Sequence, residues 1–272
     1  MQHFTETIAF IGGGNMATAI LGGLCQQGLP SQQIIVVDPG AETRARLQQQ
    51  YSVHTLEMAD STLAEADVVI WAVKPQQMKG AAAAAAPHTQ SALHISVAAG
   101  IGTETLTRWL CSTRIVRCMP NTPALVGKGM TGLYAMPSVT EQDCALTDTL
   151  LAHTGKRMWV QQEALIDSIT AISGSGPAYV FYWMEALMQG GMELGLTQEQ
   201  MRELITQTFT GAAALVQAGE DAPHVLRQRV TSKGGTTEAA IASMQNAQVA
   251  AHITEAVHAC YQRAVAMGKE FV

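Results

Sequence analysis

The stretch Ile8-Ala9-Phe10-Ile11-Gly12-Gly13-Gly14-Asn15-Met16-Ala17 constrains this chain more than any other. Its apolar residues, Ile8 to Ile11, read as a buried strand. Gly12 and Gly14 then let the backbone turn tightly, and Asn15 to Leu24 reads as an amphipathic helix. A helix that begins directly after a strand presents unpaired N–H groups and a positive dipole end, which suits a pyrophosphate. Gly12-x-Gly14-x-x-Ala17 is the dinucleotide form of that device, with Ala17 small enough for close helix–sheet packing. Any glycine turn between a strand and a helix can produce a lone match. Here a further strand follows and ends in an acid, Asp38, about 20 residues on, as the nucleotide reading requires.

Downstream, β-branched and apolar runs alternate with helical patterns. Ile34 to Asp38 reads as a second buried strand, joined to the first through one helix as a βαβ unit with a right-handed crossover. Thr43 to Tyr51 reads as helix, and Asp67 to Val73 as a strand cut off by Lys74-Pro75. Met78 to Ala86 holds six consecutive alanines and reads as a closely packed covering helix that Pro87 stops. Strands are expected at Leu93 to Ala98 and Arg114 to Met119, with a helix over Glu104 to Leu110 between them. Two shorter strand-like pieces, Gly132 to Met136 and Arg157 to Val160, flank a helix from about Glu141 to Ala152.

After Gln161 the character changes. Helical patterns cover Glu163 to Ile172, break at Ser173-Gly174-Ser175-Gly176-Pro177, and resume over Ala178 to Leu194, Gln198 to Gln217, Pro223 to Val230, Thr237 to Met244 and Val249 to Met267. The expectation is therefore an α/β Rossmann domain over 1–161, with a doubly wound, mainly parallel sheet. An all-α domain over 162–272 follows it, with a site in the crevice between the two.

Composition narrows the class further. With 47% hydrophobic and 14% charged residues the 272-residue chain is compact and globular, not disordered. A net charge of −6 argues against nucleic-acid and membrane-surface partners. The opening Met1 to Glu6 carries no basic patch or apolar run, so no signal peptide is expected there. The apolar window Ala178 to Leu196 contains Glu185, Gln189 and Glu193, and reads as a buried helix instead of a membrane span. Five scattered cysteines without a C-x-x-C are expected to be reduced and mostly buried, which points to a cytoplasmic protein. The eight histidines show no metal spacing, and no metal is expected.

Residues just past strand ends in a doubly wound sheet point at the ligand. Val73-Lys74-Pro75, Val97-Ala98-Ala99-Gly100 and Met119-Pro120-Asn121-Thr122-Pro123 occupy such places. Their small residues let a flat ring lie against backbone, and Asn121 can donate to a carboxamide. Each is also compatible with an ordinary turn. Asp38 can accept both ribose hydroxyls and repels a 2′-phosphate, whereas Arg44 and Arg46 can bind one if their helix faces the adenosine. Thr231-Ser232-Lys233-Gly234-Gly235-Thr236-Thr237 sets two glycines and two threonines at a helix start, either as an anion site for a carboxylate or as a simple capped terminus.

Taken in order, five motifs resemble pyrroline-5-carboxylate reductase over essentially the whole chain: the Gly12–Ala17 turn, Ala72-Val73-Lys74-Pro75, Met119-Pro120-Asn121-Thr122-Pro123, Ser173-Gly174-Ser175-Gly176-Pro177-Ala178-Tyr179 and Ser232-x-Gly234-Gly235-Thr236-Thr237. The resemblance implies reduction of 1-pyrroline-5-carboxylate to L-proline by NADPH or NADH, the last step of proline biosynthesis. It implies a homodimer through the helical domain, with further assembly to a decamer. It places the dinucleotide on Gly12, Gly14, Asn15, Met16, Ala17, Asp38, Ala72, Val73, Lys74, Pro75, Val97, Ala98, Ala99 and Asn121, with Glu163 near the nicotinamide ribose. It assigns the substrate to Glu220, Ser232, Gly234, Gly235, Thr236 and Thr237, the Thr237 hydroxyl lying close to the imine nitrogen as the catalytic group.

Lys233 stands where this family usually has proline, and Asp38 where it usually has a small hydroxylated or basic residue. Two other readings compete. A β-hydroxyacid-type reductase would need a lysine catalyst on the long helix, and Ser173 to Leu194 contains none. A dinucleotide sensor would bind the cofactor without turnover.

Overall fold

The computed structural model describes residues 5–271; positions 1–4, which include most of the segment weighed above for targeting, lie outside them. The chain runs β1 (Ile8–Ile11), α1 (Asn15–Gln26), β2 (Ile34–Val37), α2 (Ala41–Tyr51), β3 (His54–Leu56), β4 (Val68–Trp71), α3 (Pro75–Ala85), β5 (Leu93–Ser96), α4 (Thr103–Leu110), β6 (Ile115–Met119), β7 (Gly129–Ala135), α5 (Glu141–Leu150) and β8 (Gly155–Trp159). Helices follow: α6 (Leu165–Ile169), α7 (Gly176–Glu193), α8 (Gln198–Ala218), α9 (Pro223–Arg229), α10 (Thr236–Asn246) and α11 (Val249–Glu270).

The strands form one sheet in the order β3-β2-β1-β4-β5-β6-β7-β8. All pairs are parallel except β6 with β7, so the expected mainly parallel, doubly wound sheet is what the chain builds. Strands β1, β2, β4 and β5 are buried along their whole length, which is why they read as unbroken apolar runs. Strand order reverses between β1 and β4, and the crevice at that switch point lies where Gly12 and Ala72 leave the sheet. Two apolar clusters cover the two faces, one packed around Phe10, Ile20 and Leu47, the other around Trp71, Met78 and Ile115.

Contacts divide the chain into two units, 1–177 with 260–272, and 178–259. The second unit is helical throughout. Within it α7 has no buried residue: Phe181 is 55% and Tyr182 74% exposed. The expectation that this helix is buried fails for a single chain: Met201 of α8 lies against Gly191, and Val249, Ile253 and Ala256 of α11 lie beside Tyr179 and Trp183, but its large apolar side chains stay exposed.

Two other expectations change, and one strand is added. The Ser173–Pro177 segment is no break in the helix: residues 170–174 form a π-helical turn, closed by Ser175 N–H donating to the Thr170 carbonyl (2.9 Å), and α7 continues from Gly176. An inserted residue widens the turn instead of ending it. Of the cysteines only Cys118 is buried, Cys111 is exposed and the others are half-buried; all are free thiols. The three-residue β3 is an edge strand too short for its pattern to register in the sequence.

A buried polar pair joins β4 to β5. The Trp71 indole N–H donates to His94 Nδ1 at 3.1 Å, and both residues are fully buried. Burial pushes His94 down to about 4 from an ordinary 6.5. Between those values the unfolded chain binds a proton that the folded one refuses, so stability is full above pH 6.5 and falls as pH drops through the window. The pair is expected to cost up to about 3 kcal/mol between pH 7 and pH 4. His94→Gln, which keeps an acceptor for Trp71, should flatten that slope in urea unfolding. Equal slopes in the two proteins would clear His94 of the effect.

Candidate active site

Gly12 sits at the hinge of three strand ends. Its N–H donates to the Val37 carbonyl (2.8 Å), while Ala72 N–H donates to the Ile11 carbonyl (2.8 Å). Its φ is +98°, and a Cβ there would lie 2.7 Å from the Ala72 carbonyl oxygen. Glycine is needed on both counts. Gly14 caps α1 with no side-chain hydrogen bond, and the first turn of α1 holds no acidic residue. A Cβ on Gly14 would meet nothing within 4 Å. The α1 terminus is thus a bare anion cradle with room above Gly14, formed by the segment Gly12 to Ala17.

Asp38 stands at the end of β2 beside this cradle. Its Oδ2 accepts from Gly13 N–H (2.7 Å) and its Oδ1 from Gly40 N–H (2.8 Å). One task of the carboxylate is therefore to fix the loop, and each oxygen keeps a lone pair for a ligand hydroxyl. Arg44 donates from Nη1 to the Asp38 carbonyl (2.7 Å), and Arg46 from Nη2 to the Gly13 carbonyl (3.2 Å). Helix α2 thus brings one guanidinium to the Asp38 backbone and a second to the neighbouring Gly13 carbonyl.

Ala72 and Val73 are half-buried past β4, and Lys74 is exposed at the start of α3 with Pro75 in its first turn. Val97, Ala98 and Ala99 follow β5 into the connection that leads to α4. Asn121 is tied within its own unit: Nδ2 donates to the Ser173 carbonyl (3.0 Å) and hydroxyl (3.2 Å), while Oδ1 accepts from Met130 N–H (3.0 Å). It fastens the loop after β6 to the π-helical turn.

Glu163 is likewise engaged. Oε1 accepts from Thr103 N–H (2.7 Å) and Arg117 Nη1 (2.9 Å), and Oε2 from the Thr103 hydroxyl (2.5 Å). Arg117 also donates from Nη2 to Asp167 Oδ1 at 2.8 Å. Arg117, Thr103 and Asp167 carry no motif and were missed in the sequence. The available signal was a charge within the apolar run Ile115-Val116-Arg117-Cys118-Met119, because a buried guanidinium demands a partner.

In the helical unit, Gly234 (φ +73°) turns the chain into α10. Its N–H is taken by Glu238 Oε2 (2.6 Å), and that of Gly235 by the Ser232 carbonyl (3.0 Å). No side chain caps the helix start. The donors left for an anion are consequently the N–H groups of Thr236 and Thr237. A cavity of about 660 Å³ adjoins this loop, lined by Arg227, Thr231, Gly234, Gly235, Glu238 and Gln245 among others. Glu220 and Ser232 are exposed, and Asp221, next to Glu220, pairs with Arg229. Among the described residues no group of three or more His, Cys, Asp or Glu is placed to hold a metal ion.

Comparison with known proteins accounts for both halves of the chain. Residues 163–267 match a family model described as pyrroline-5-carboxylate reductase dimerisation, and residues 7–100 one described as NADP oxidoreductase, coenzyme F420-dependent. The chain is 45% identical over 268 residues to pyrroline-5-carboxylate reductase from Pseudomonas aeruginosa, covering 98% of each. A solved structure of a pyrroline-5-carboxylate reductase from Coxiella burnetii superposes with a TM-score of 0.89 at 38% identity, covering 97% of this chain and 99% of that one. The Plasmodium falciparum enzyme, solved with NADP bound, gives a TM-score of 0.86 at 26% identity, covering 97% and 98%.

Proposed function

This chain belongs to the pyrroline-5-carboxylate reductase family, and from that premise we propose how its own residues carry out the reduction of 1-pyrroline-5-carboxylate to L-proline with NAD(P)H. The observation that carries the reading is the bare α1 terminus behind Gly12 and Gly14, whose shape and unpaired donors fit a dinucleotide pyrophosphate. The N–H groups of Asn15, Met16 and Ala17 meet the phosphates. Ala72 to Pro75 and Val97 to Ala99 line the dinucleotide with small side chains and backbone. Asp38 accepts from an unphosphorylated ribose, and Arg44 and Arg46 supply the charge that a 2′-phosphate needs, so both cofactors are used.

When bound, the nicotinamide supplies the hydride. The substrate is a cyclic imine with a carboxylate. Thr236 and Thr237 N–H groups take the carboxylate, the Thr237 hydroxyl orients the imine nitrogen, and Glu220 contacts the ring. A protonated imine is already a good electrophile, so positioning and electrostatics suffice without a strong general acid. Hydride goes to the imine carbon, and the nitrogen keeps the proton it carried.

The helical domain pairs two copies of the chain, and these dimers assemble further into a decamer. No helix among the described residues is long and apolar enough to cross a membrane, and we place the enzyme in the cytoplasm. Purified protein should oxidise NADPH and NADH when 1-pyrroline-5-carboxylate is present. Cofactor binding with no turnover over a panel of cyclic imino acids would make it a sensor instead.

A further inference from the structure

We infer that Arg117 is a positioning residue for hydride transfer, holding through Glu163 the loop between β5 and α4 that receives the nicotinamide half of the cofactor; the inference rests on the reductase reading above.

Arg117 lies in the middle of β6, paired with Ser96, the last residue of β5, and is only 6% exposed. Taking a guanidinium out of water costs several kcal/mol unless its donors are well paired. Here both terminal nitrogens are paired to different carboxylates, Nη1 to Glu163 at 2.9 Å and Nη2 to Asp167 at 2.8 Å. Glu163 passes the restraint on. The oxygen that meets Arg117 also accepts from Thr103 N–H, and its other oxygen takes the Thr103 hydroxyl. Thr103 is the first residue of α4. A continuous path of charged hydrogen bonds thus runs from the centre of the sheet to the far end of the loop 97–102.

The loop is held at its other points as well. Val97 N–H donates to the Trp71 carbonyl (3.1 Å), anchoring the near end to β4. Gly100 takes φ +75°, and a Cβ there would lie 3.2 Å from Met267 Cβ. Nothing in the loop itself, Val-Ala-Ala-Gly-Ile-Gly, supplies a side-chain hydrogen bond. Its shape is set from outside, and Glu163 fixes the end that no strand ladder reaches.

An ionic cluster of this kind is a weak stabiliser, since apolar groups of the same volume often do as well or better. Its distinctive effect is geometric: the two carboxylates and the planar guanidinium admit few arrangements. The cluster borders a cavity of about 270 Å³ lined by Gly100, Gly102, Thr105, Arg117, Glu163 and Asp167, among others. That cavity adjoins the small-residue loop proposed to receive the cofactor ring. Because hydride transfer is sensitive to displacements of about 1 Å, a loop freed at Thr103 should lose catalysis before it loses the fold.

The test separates the two halves of the cofactor. ADP carries the adenosine and pyrophosphate but no nicotinamide, so its binding reports the Gly12–Ala17 cradle alone. Calorimetry should show Arg117→Met weakening NADPH or NADH about 10-fold or more while ADP affinity changes less than about 2-fold. Cofactor KM should rise and kcat should fall, with Arg117→Lys recovering part of both. If Arg117→Met does not fold, Arg117→Lys and Glu163→Gln give the same comparison. Equal weakening of ADP and the full cofactors, or no change in either, would overturn the inference. Wild-type turnover of 1-pyrroline-5-carboxylate is scored separately, so a failed reductase reading with intact nicotinamide-selective binding is recognised as such.

Discussion

Gly12→Ala is expected to lose both stability and cofactor affinity, whereas Gly14→Ala loses affinity alone. At Gly12 the φ of +98° strains any L residue, and the new Cβ would press on the Ala72 carbonyl at 2.7 Å and on Val73 Cγ1 at 3.0 Å. Those contacts are backbone and strand end, so relief requires β1 and β4 to part at the switch point. Strain and displacement together should cost about 2–4 kcal/mol, a drop in Tm of roughly 5–15 °C for a chain of this size. Cofactor binding should weaken about 100-fold, because the turn no longer aims the α1 donors. At Gly14 the space is open and the backbone ordinary, so a methyl group meets no protein atom. It occupies the room above the cradle instead. Tm should hold while affinity falls about 10-fold or more. Calorimetric binding and thermal unfolding on the same two variants decide it. Unaltered affinity in Gly14→Ala would place the pyrophosphate elsewhere.

Tyr182→Glu should convert the assembled protein to monomers and remove activity with the assembly. Helix α7 carries Val180, Phe181, Tyr182 and Leu187 exposed at 39–74%, a density of large apolar groups that a lone surface helix does not sustain. Beside them Tyr179, Trp183, Val249, Ile253 and Ala256 line an apolar cavity of about 310 Å³. The residues belong to the segment that matches the family's dimerisation model, and the variant tests whether a second copy covers them. Burying an unpaired carboxylate there costs several kcal/mol, about a 1000-fold or greater loss in association. Sedimentation at micromolar protein should show the monomer. An unchanged mass would mean that α7 lies outside the interface.

Legibility in the sequence followed the range over which each feature is encoded. The Gly12–Ala17 turn is local: strand, turn and helix start lie within ten residues, and their spacing carries the chemistry. The parallel strands were readable because burial on both faces leaves unbroken apolar runs such as Ile34 to Val37. The Arg117–Glu163–Thr103 path joins residues 46 and 60 positions apart, and no local pattern reports such pairing. Asn121 illustrates the same limit. Its position after β6 was evident, but its partners Ser173 and Met130 depend on how the chain returns. The apolar character of α7 was plain in the sequence, while its exposure in the single chain was not, because that depends on how α8 and α11 pack beside it. Cysteine burial was overestimated since residue type predicts only an average, and Cys111 falls at the exposed end of α4.

The most direct test of the account is transfer of label. Wild-type protein given 1-pyrroline-5-carboxylate and a cofactor deuterated at the reactive nicotinamide position should yield L-proline with deuterium on the carbon that was the imine carbon. One proline should form per cofactor oxidised. Cofactor oxidation without labelled proline, or proline labelled from solvent at that carbon, would contradict direct hydride transfer between the two bound molecules.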